Sequence, residues 1–344
     1  MPQMGTNATT ATRIVSPMPT GSGAIVVHDR LANAIPGYQV VPYSPTLTYC
    51  PPSLRWFVKK PPADIIHTTP DHARFFRRRN VPLVATFHNY VIDAFMRPYS
   101  TAMQRLHYAT DLKWFLKAAL KKADRFTAVS QFTANRVRED LGFDGDIEVI
   151  PNGVDTEMFS PLEHLRDGDQ IRVLFPGNPS RRKGAHWLPE IAARLPDNVQ
   201  IVCATGLRGG WTQDMAAAGI EMLGGVAYDD MPALYRSVDA LLLPTVREGD
   251  SLVVLEAMSA GLPVVASNCS SLPERVAHGS GGFLPEVGDV QGFAESLVHL
   301  TDPAARHAMG RFNRERAVTQ FSLKRMIARY VEVFSSLSSK SLYR

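Results

Sequence analysis

Short apolar runs alternate with longer helical patterns along almost the whole chain, and this rhythm restricts the fold more than any other feature. In the first half the runs predicted as strands are Arg13–Ser16, Gln39–Tyr43, Asp64–Thr68, Leu83–His88, Phe126–Ser130 and Ile147–Ile150. Helical patterns separate them over Ala24–Ile35, Asp71–Arg79, Ala102–Lys122 and Gln131–Leu141. The second half repeats the rhythm, with strands predicted at Ile171–Phe175, Val199–Ala204, Met222–Val226, Ala240–Pro244 and Val264–Ser267. Its helices are predicted at His186–Leu195, Met231–Val238, Leu252–Ala260 and Leu272–Ala277. Strand–helix–strand order gives a parallel sheet with helices on both faces. Segments such as DALLLPT and PVVAS show no polar alternation, as expected of strands buried on both sides.

A chain of 344 residues divides more naturally into two such domains than one, at roughly 100–200 residues per domain. The polar segment SPLEHLRDGDQ is the expected boundary, giving domains over 12–165 and 166–320. The amphipathic stretch FSLKRMIARYVEVFSSL, within 321–338, reads as a closing helix. No apolar stretch approaches the length of a spanning helix, and the first dozen residues have no apolar leader core. Cys50, Cys203 and Cys269 are scattered and form no CxxC pair, which argues against a disulfide framework or a zinc site. A cytoplasmic setting is the resulting expectation. The net charge of +4 is too weak to imply nucleic acid but suits a phosphate-bearing substrate.

In open parallel sheets ligands bind beyond the carboxyl ends of the strands, so the loops there carry the functional signal. Gly21 and Gly23 follow the first strand and open a helix, where backbone N–H groups can approach phosphate. A dinucleotide fingerprint would need a third small residue where Val26 stands, and an acidic end to the second strand, which is absent. His88 ends the fourth strand, where it can meet a substrate hydroxyl or a leaving phosphate; a structural histidine is the alternative. In FPGNPSRRKGAHWL, Arg181, Arg182 and Lys183 stand between two glycines just before a helix, a placement that suits a diphosphate. Glu248 follows the strand at Ala240–Pro244. Glu256 lies inside the next helix, where a carboxylate needs partners such as two ribose hydroxyls. The N–H groups of Asp250, Ser251 and Leu252 stand at that helix start.

These motifs, taken together and in order, resemble a family 4 retaining glycosyltransferase of the GT-B fold. VIPNGVDTEMFSP resembles the signature closing the first domain, FPGNPSRRKG the phosphate loop, and REGDSLVVLEAMSAGLPVVAS the paired glutamates seven residues apart. ATFHNY and TAVSQFTANRV are similar to further family segments. The resemblance spans about residues 12–338. It implies two Rossmann-like domains facing across a cleft, and transfer of a sugar from a nucleotide diphosphate to an acceptor hydroxyl with retention. It assigns Glu248 to the donor sugar, Glu256 to the ribose, Lys183 and a neighbouring arginine to the leaving diphosphate, and His88 to the transferring sugar and phosphate. The final helix would cross back onto the first domain. The chain departs from the family at Asn178, where arginine is usual, and at Asp250 and Ser251, where Phe-Gly is usual.

Asp144–Asp146 and Asp167–Asp169 form Asp-x-Asp triplets, but in polar turn or linker segments, so no metal and no cofactor are expected beyond the co-substrate itself. Residues 102–125 mix Trp114, Phe115 and Leu116 with lysines, and 74–79 add arginines. This composition suits docking on an anionic membrane surface, hence a lipid-linked sugar acceptor and a peripheral position on the inner face; a solvated basic helix face is the alternative. A nucleotide-sugar epimerase on the same fold and an inactive binding subunit are the rival readings. Asn178 and Ser251 favour the latter, and the joint presence of His88, Lys183, Glu248 and Glu256 opposes it.

Overall fold

The structure, a computed structural model, describes residues 11–107, 110, 112–162, 170–177, 179–204 and 212–341. Two six-stranded sheets organise them, and every strand pairing in both is parallel. The first contains β1 (Ile14–Pro19), β2 (Tyr38–Tyr43), β3 (Ile65–Thr68), β4 (Leu83–Phe87), β5 (Arg125–Ala128) and β6 (Glu148–Val149), in the order β2-β1-β3-β4-β5-β6. The second contains β7 (Ile171–Pro176), β8 (Val199–Ala204), β9 (Glu221–Gly224), β10 (Ala240–Leu243), β11 (Val264–Ala266) and β12 (Gly282–Phe283), in the order β12-β11-β10-β7-β8-β9. Both are doubly wound, and the second has the strand order of dinucleotide-binding folds. Every residue of β3, β4, β10 and β11 is buried, as apolar strands covered by helices on both faces require.

Local chemistry sets the helix starts. Ser22 caps the helix Gly23–Ala34, its hydroxyl accepting from the Ile25 N–H at 3.3 Å. Ser130 caps Gln131–Leu141 in the same way through Thr133 N–H, and Gly142 closes that helix in the left-handed conformation. The helix predicted over 102–122 appears as two runs, Ala102–His107 and Lys113–Leu120. The one predicted over 71–79 shrinks to Ala73–Phe76, because Arg77 turns extended and Asn80 takes a left-handed conformation that returns the chain toward β4.

The final helix, Leu323–Ser341, packs against the first sheet. Met326, Tyr330, Val333, Phe334 and Leu337 share a core with Ile14, Val27, Leu31, Ile65 and Val84. It is attached at its start to the end of the first domain, where Val154 N–H donates to Phe321 O and Leu323 N–H to Val154 O. The signature glycine Gly153 makes this approach possible, since a Cβ there would lie 2.7 Å from Leu323 Cα. Most of the sequence boundary segment, 163–169, lies outside the described residues.

Candidate active site

A ligand crevice in a doubly wound sheet opens where adjacent strands send their connections to opposite faces. In the second sheet that point lies between the paired strands β7 and β10. The loops leaving them are knitted together: Val246 N–H and the Thr245 hydroxyl both donate to Arg182 O, each at 2.9 Å. Gly184 must be glycine for this, because it sits at φ +75° and a Cβ would meet Pro244 O at 1.9 Å. The result brings Lys183 Nζ to 2.7 Å from Glu248 Oε1. The Thr245 hydroxyl oxygen lies 3.1 Å from the same carboxylate oxygen, and Arg182 Nη1 stands 3.7 Å away. Burial alone would raise the Glu248 carboxyl, but Lys183 and then Arg182 outweigh it and hold the group below its ordinary value.

The first domain supplies the facing wall. A cleft of about 460 Å³ is lined by Ser22, Gly23 and Ala24, by Thr69–Asp71 and by His88–Ile92 on one side. Arg182, Lys183 and Glu248–Val253 line the other side. Neither Gly21 nor Gly23 would carry a Cβ into any neighbour within 4 Å, so the glycine turn borders open space; Gly23 lines the cleft and Gly21 does not. Gly249 touches the opposite domain directly, since a Cβ there would lie 1.9 Å from His88 O. Ser251 precedes the helix Leu252–Ser259 without capping it by its side chain, and that helix start faces the cleft.

Two expected donor-site residues, Arg181 and Glu256, do not line the cleft, and a third, Asp250, lines it without its carboxylate. Arg181 is exposed and does not line the cleft. The Asp250 carboxylate turns away from the cavity into the domain boundary. Its Oδ2 accepts from Asn152 N–H at 2.7 Å and its Oδ1 from Arg275 Nε at 2.7 Å, with both side chains buried. Only its backbone is left to meet a donor. Glu256 lies one helical turn deeper than Leu252 and does not line the cleft. Its Oε1 pairs with Arg30 Nη2 at 3.3 Å and its Oε2 accepts from Tyr235 Oη at 3.2 Å. A carboxylate in an apolar helix needs such partners, and here Arg30 and Tyr235 supply them. Burial lifts it to about 7, against the opposing pull of Arg30.

These contacts belong to a set of ties across the domain boundary that the sequence reading missed. Arg30 also donates to Tyr228 Oη at 2.7 Å. Arg247 pairs with Asp93, both buried, and its guanidinium lies 4.8 Å from the Phe132 ring centroid. The Glu274 carboxylate accepts from the N–H groups of Gln131 and Phe132, at 2.9 and 2.7 Å, and so caps a helix of the other domain. Asn152 belongs to the signature motif, whereas the paired arginine and acid residues carry no sequence signal. Asn178 and Asp167–Asp169 lie outside the described residues. Asp144 and Asp146 precede β6, at the end of the sheet away from the cleft. Among the described residues no cluster of three or more His, Cys, Asp or Glu is set to hold a metal ion.

Two doubly wound sheets turning their carboxyl ends to one cleft, with Arg182 and Lys183 on its wall, make a GT-B architecture, and the family match marks a glycosyltransferase that uses nucleotide-sugar donors. The chain belongs to glycosyltransferase family 4: the model of that family matches residues 11–158, and the model of the group 1 glycosyl transferases matches residues 170–302. Membership makes it a retaining hexosyltransferase-type enzyme. It is similar to the GDP-mannose-dependent α-(1-6)-phosphatidylinositol monomannoside mannosyltransferase of Mycolicibacterium smegmatis, with 28% identity over 74% of this chain and 70% of that one. It is likewise similar to the UDP-Gal:α-D-GlcNAc-diphosphoundecaprenol α-1,3-galactosyltransferase of Escherichia coli, with 27% identity over 82% of this chain and 78% of that one. Among solved structures, sucrose-phosphate synthase from Thermosynechococcus elongatus superposes with a TM-score of 0.80 at 18% identity, over 95% of this chain and 100% of that one, and so shares its fold.

Proposed function

We propose that the chain moves a hexose from a UDP- or GDP-sugar to a hydroxyl of a lipid-linked acceptor, working at an anionic membrane face in glycolipid or surface-polysaccharide synthesis. The observation that carries the donor half is the Lys183–Glu248 pair at the switch point, facing His88 across the cleft. Lys183, Arg182 and the N–H groups at the start of Leu252–Ser259 stabilise the leaving diphosphate without any metal. Glu248 accepts from hydroxyls of the donor sugar. The acceptor hydroxyl attacks the anomeric carbon on the face the diphosphate leaves, the carbon–oxygen bond to phosphate breaks, and the hydroxyl proton passes to the departing phosphate oxygen. Both curated relatives named above carry membrane-lipid acceptors in their names.

The acceptor half rests on an exposed patch. Trp56 and Phe57 are 73% exposed and Trp114 55%, with Lys59, Lys60, Lys113 and Lys117 exposed beside them. Arg74 lies 4.2 Å from the Trp114 ring centroid, and Arg55 and Arg74 flank Phe75, so the three short helices form one aromatic and cationic surface. Leu116, on the helix that carries Trp114, lines the cleft. One helix thus turns Trp114 to the surface and Leu116 to the cavity that a lipid-borne sugar would enter. No described helix is long and apolar enough to cross a membrane. Residues 45–57 were absent from the sequence expectation because no helical periodicity marks them.

Thermal unfolding with UDP, GDP and ADP in turn tests the donor site. One nucleotide at 100 times its dissociation constant adds about 2.7 kcal/mol of stability, and that gain disappears in Lys183→Ala. No response to any nucleotide in the wild type would overturn the reading.

A further inference from the structure

Beneath His88 lies a run of buried polar groups that the transfer chemistry leaves unused. His28 Nε2 is 3.0 Å from His88 Nε2. His28 Nδ1 is 2.7 Å from Ser16 Oγ and 2.8 Å from Tyr38 Oη. Tyr38 Oη is 2.8 Å from His67 Nδ1, His67 Nε2 is 2.6 Å from Thr86 Oγ1, and Thr86 Oγ1 is 2.6 Å from Thr127 Oγ1. Tyr330 and Phe334 of the final helix seal it, with ring centroids 5.3 and 5.4 Å from that of His67. Burial drives His28 and His67 well below the ordinary histidine value and His88 to about 4, so all three rings are neutral. The Nδ1 of His88 has no protein partner among the described residues.

A neutral imidazole carries one proton, so one ring nitrogen donates and the other accepts. The contact between the two Nε2 atoms therefore fixes both rings together. If His28 donates, the unpartnered Nδ1 of His88, a residue that lines the cleft, bears the proton; if His88 donates, Nδ1 presents a lone pair. A lone pair there would repel a phosphate oxygen, which has no proton to donate. Following the first arrangement back, Thr86 donates to His67 Nε2, His67 Nδ1 to Tyr38, Tyr38 to His28 Nδ1, and His28 Nε2 to His88. We propose that His28, Tyr38 and His67 are positioning residues whose one-way hydrogen-bond chain holds His88 in the Nδ1–H form, so that it enters the cleft as a neutral donor for a phosphate or sugar oxygen. The catalytic consequence rests on His88 meeting the donor, whereas the chain itself is testable without any substrate.

Long-range proton–nitrogen correlation spectra of the full chain, labelled with ¹⁵N-histidine and free of ligand, read each tautomer; His88→Asn and His28→Asn identify the signals. The expected result is the Nδ1–H form for His88 and His67 and the Nε2–H form for His28. Tyr38→Phe, made in a Ser16→Ala background because the Ser16 hydroxyl also reaches His28 Nδ1, removes the bridging hydroxyl and should mix the tautomers of His28 and His88. It should lower kcat about tenfold with donor KM unchanged. If Tyr38→Phe does not fold, Thr86→Val, of the same shape, interrupts the chain at its other end with the same expected mixing. An Nε2–H form of His88 in the wild type, or tautomers that Tyr38→Phe and Thr86→Val leave untouched, overturns the proposal. Correct tautomers with kcat unaffected by either variant would refute only the catalytic role of His88.

Discussion

Gly249→Ala isolates the requirement that the two domains meet at the site. Gly249 has no positive φ, so alanine introduces no backbone strain. Its Cβ would lie 1.9 Å from His88 O, 2.8 Å from its carbonyl carbon and 2.9 Å from Asn89 Cα. All three are backbone atoms that cannot rotate aside. Ordinary contact begins near 3.4 Å, so the surfaces must part by roughly 1.5 Å. That displacement carries the ties across the boundary beyond hydrogen-bond reach: Arg30–Glu256 starts at 3.3 Å, Gln131 N–H to Glu274 at 2.9 Å and Asn152 N–H to Asp250 at 2.7 Å. It also moves Glu248 and Lys183 away from His88, and a misplacement of about 1 Å costs about 100-fold in rate. Each domain keeps its own core, so circular dichroism should be unchanged. The expected result is a loss of kcat/KM of about 100-fold, with nucleotide binding to the second domain retained and a larger radius of gyration by small-angle scattering. Full activity in a correctly folded Gly249→Ala would refute the idea that catalysis needs this approach.

Four further outcomes follow from the same geometry. Lys183→Ala should lower kcat/KM by about 10²–10³-fold, the scale of losing one group that stabilises developing charge, measured by initial rates of nucleotide release. Glu256 is raised in the folded chain to about 7 from an ordinary 4.5, so between those values the native state holds a proton that the unfolded chain has lost. Its contribution to stability is then complete below about 4.5 and is lost as pH rises toward 7, and Glu256→Gln should flatten that part of a denaturant-midpoint profile, by on the order of 3 kcal/mol at most; an unchanged profile would contradict the shift. Asp250→Ala strands a buried Arg275 and should cost about 3–5 kcal/mol in urea unfolding. Trp56→Ser with Phe57→Ser should abolish co-sedimentation with phosphatidylglycerol vesicles while leaving the nucleotide-induced thermal shift intact; retained sedimentation would remove the patch from the membrane.

The strands were legible because a doubly covered sheet needs continuous apolar runs, and β10 and β11 are written almost without a polar residue. β12 was not, since its two residues follow a glycine-rich turn. Gly282 there is chosen for space: a Cβ would lie 1.8 Å from Val264 O. The helix Pro303–Gln320 escaped notice for the opposite reason. Its sequence is polar nearly all round, and Asn313 and Arg306 are buried through hydrogen bonds to Leu262 O, Gly281 O and Leu300 O. Periodicity registers apolar faces and is blind to a helix that packs through satisfied polar groups. Asp302 as cap and Pro303 at the first position were the signals that remained.

The same blindness explains the site. Loops at strand ends announce themselves through glycines and charge, so Lys183 and Glu248 could be picked out before their 2.7 Å contact was seen. Charge does not reveal direction. Asp250 stands in the loop beside Glu248, yet its carboxylate joins Arg275 and Asn152 across the boundary. The change from the family's Phe-Gly pattern at that position therefore bears on how the domains close. A variant restoring Phe at position 250 would then perturb closure before it perturbed the sugar accepted. It should raise KM for donor and acceptor alike, because both bind in the cleft that closure completes.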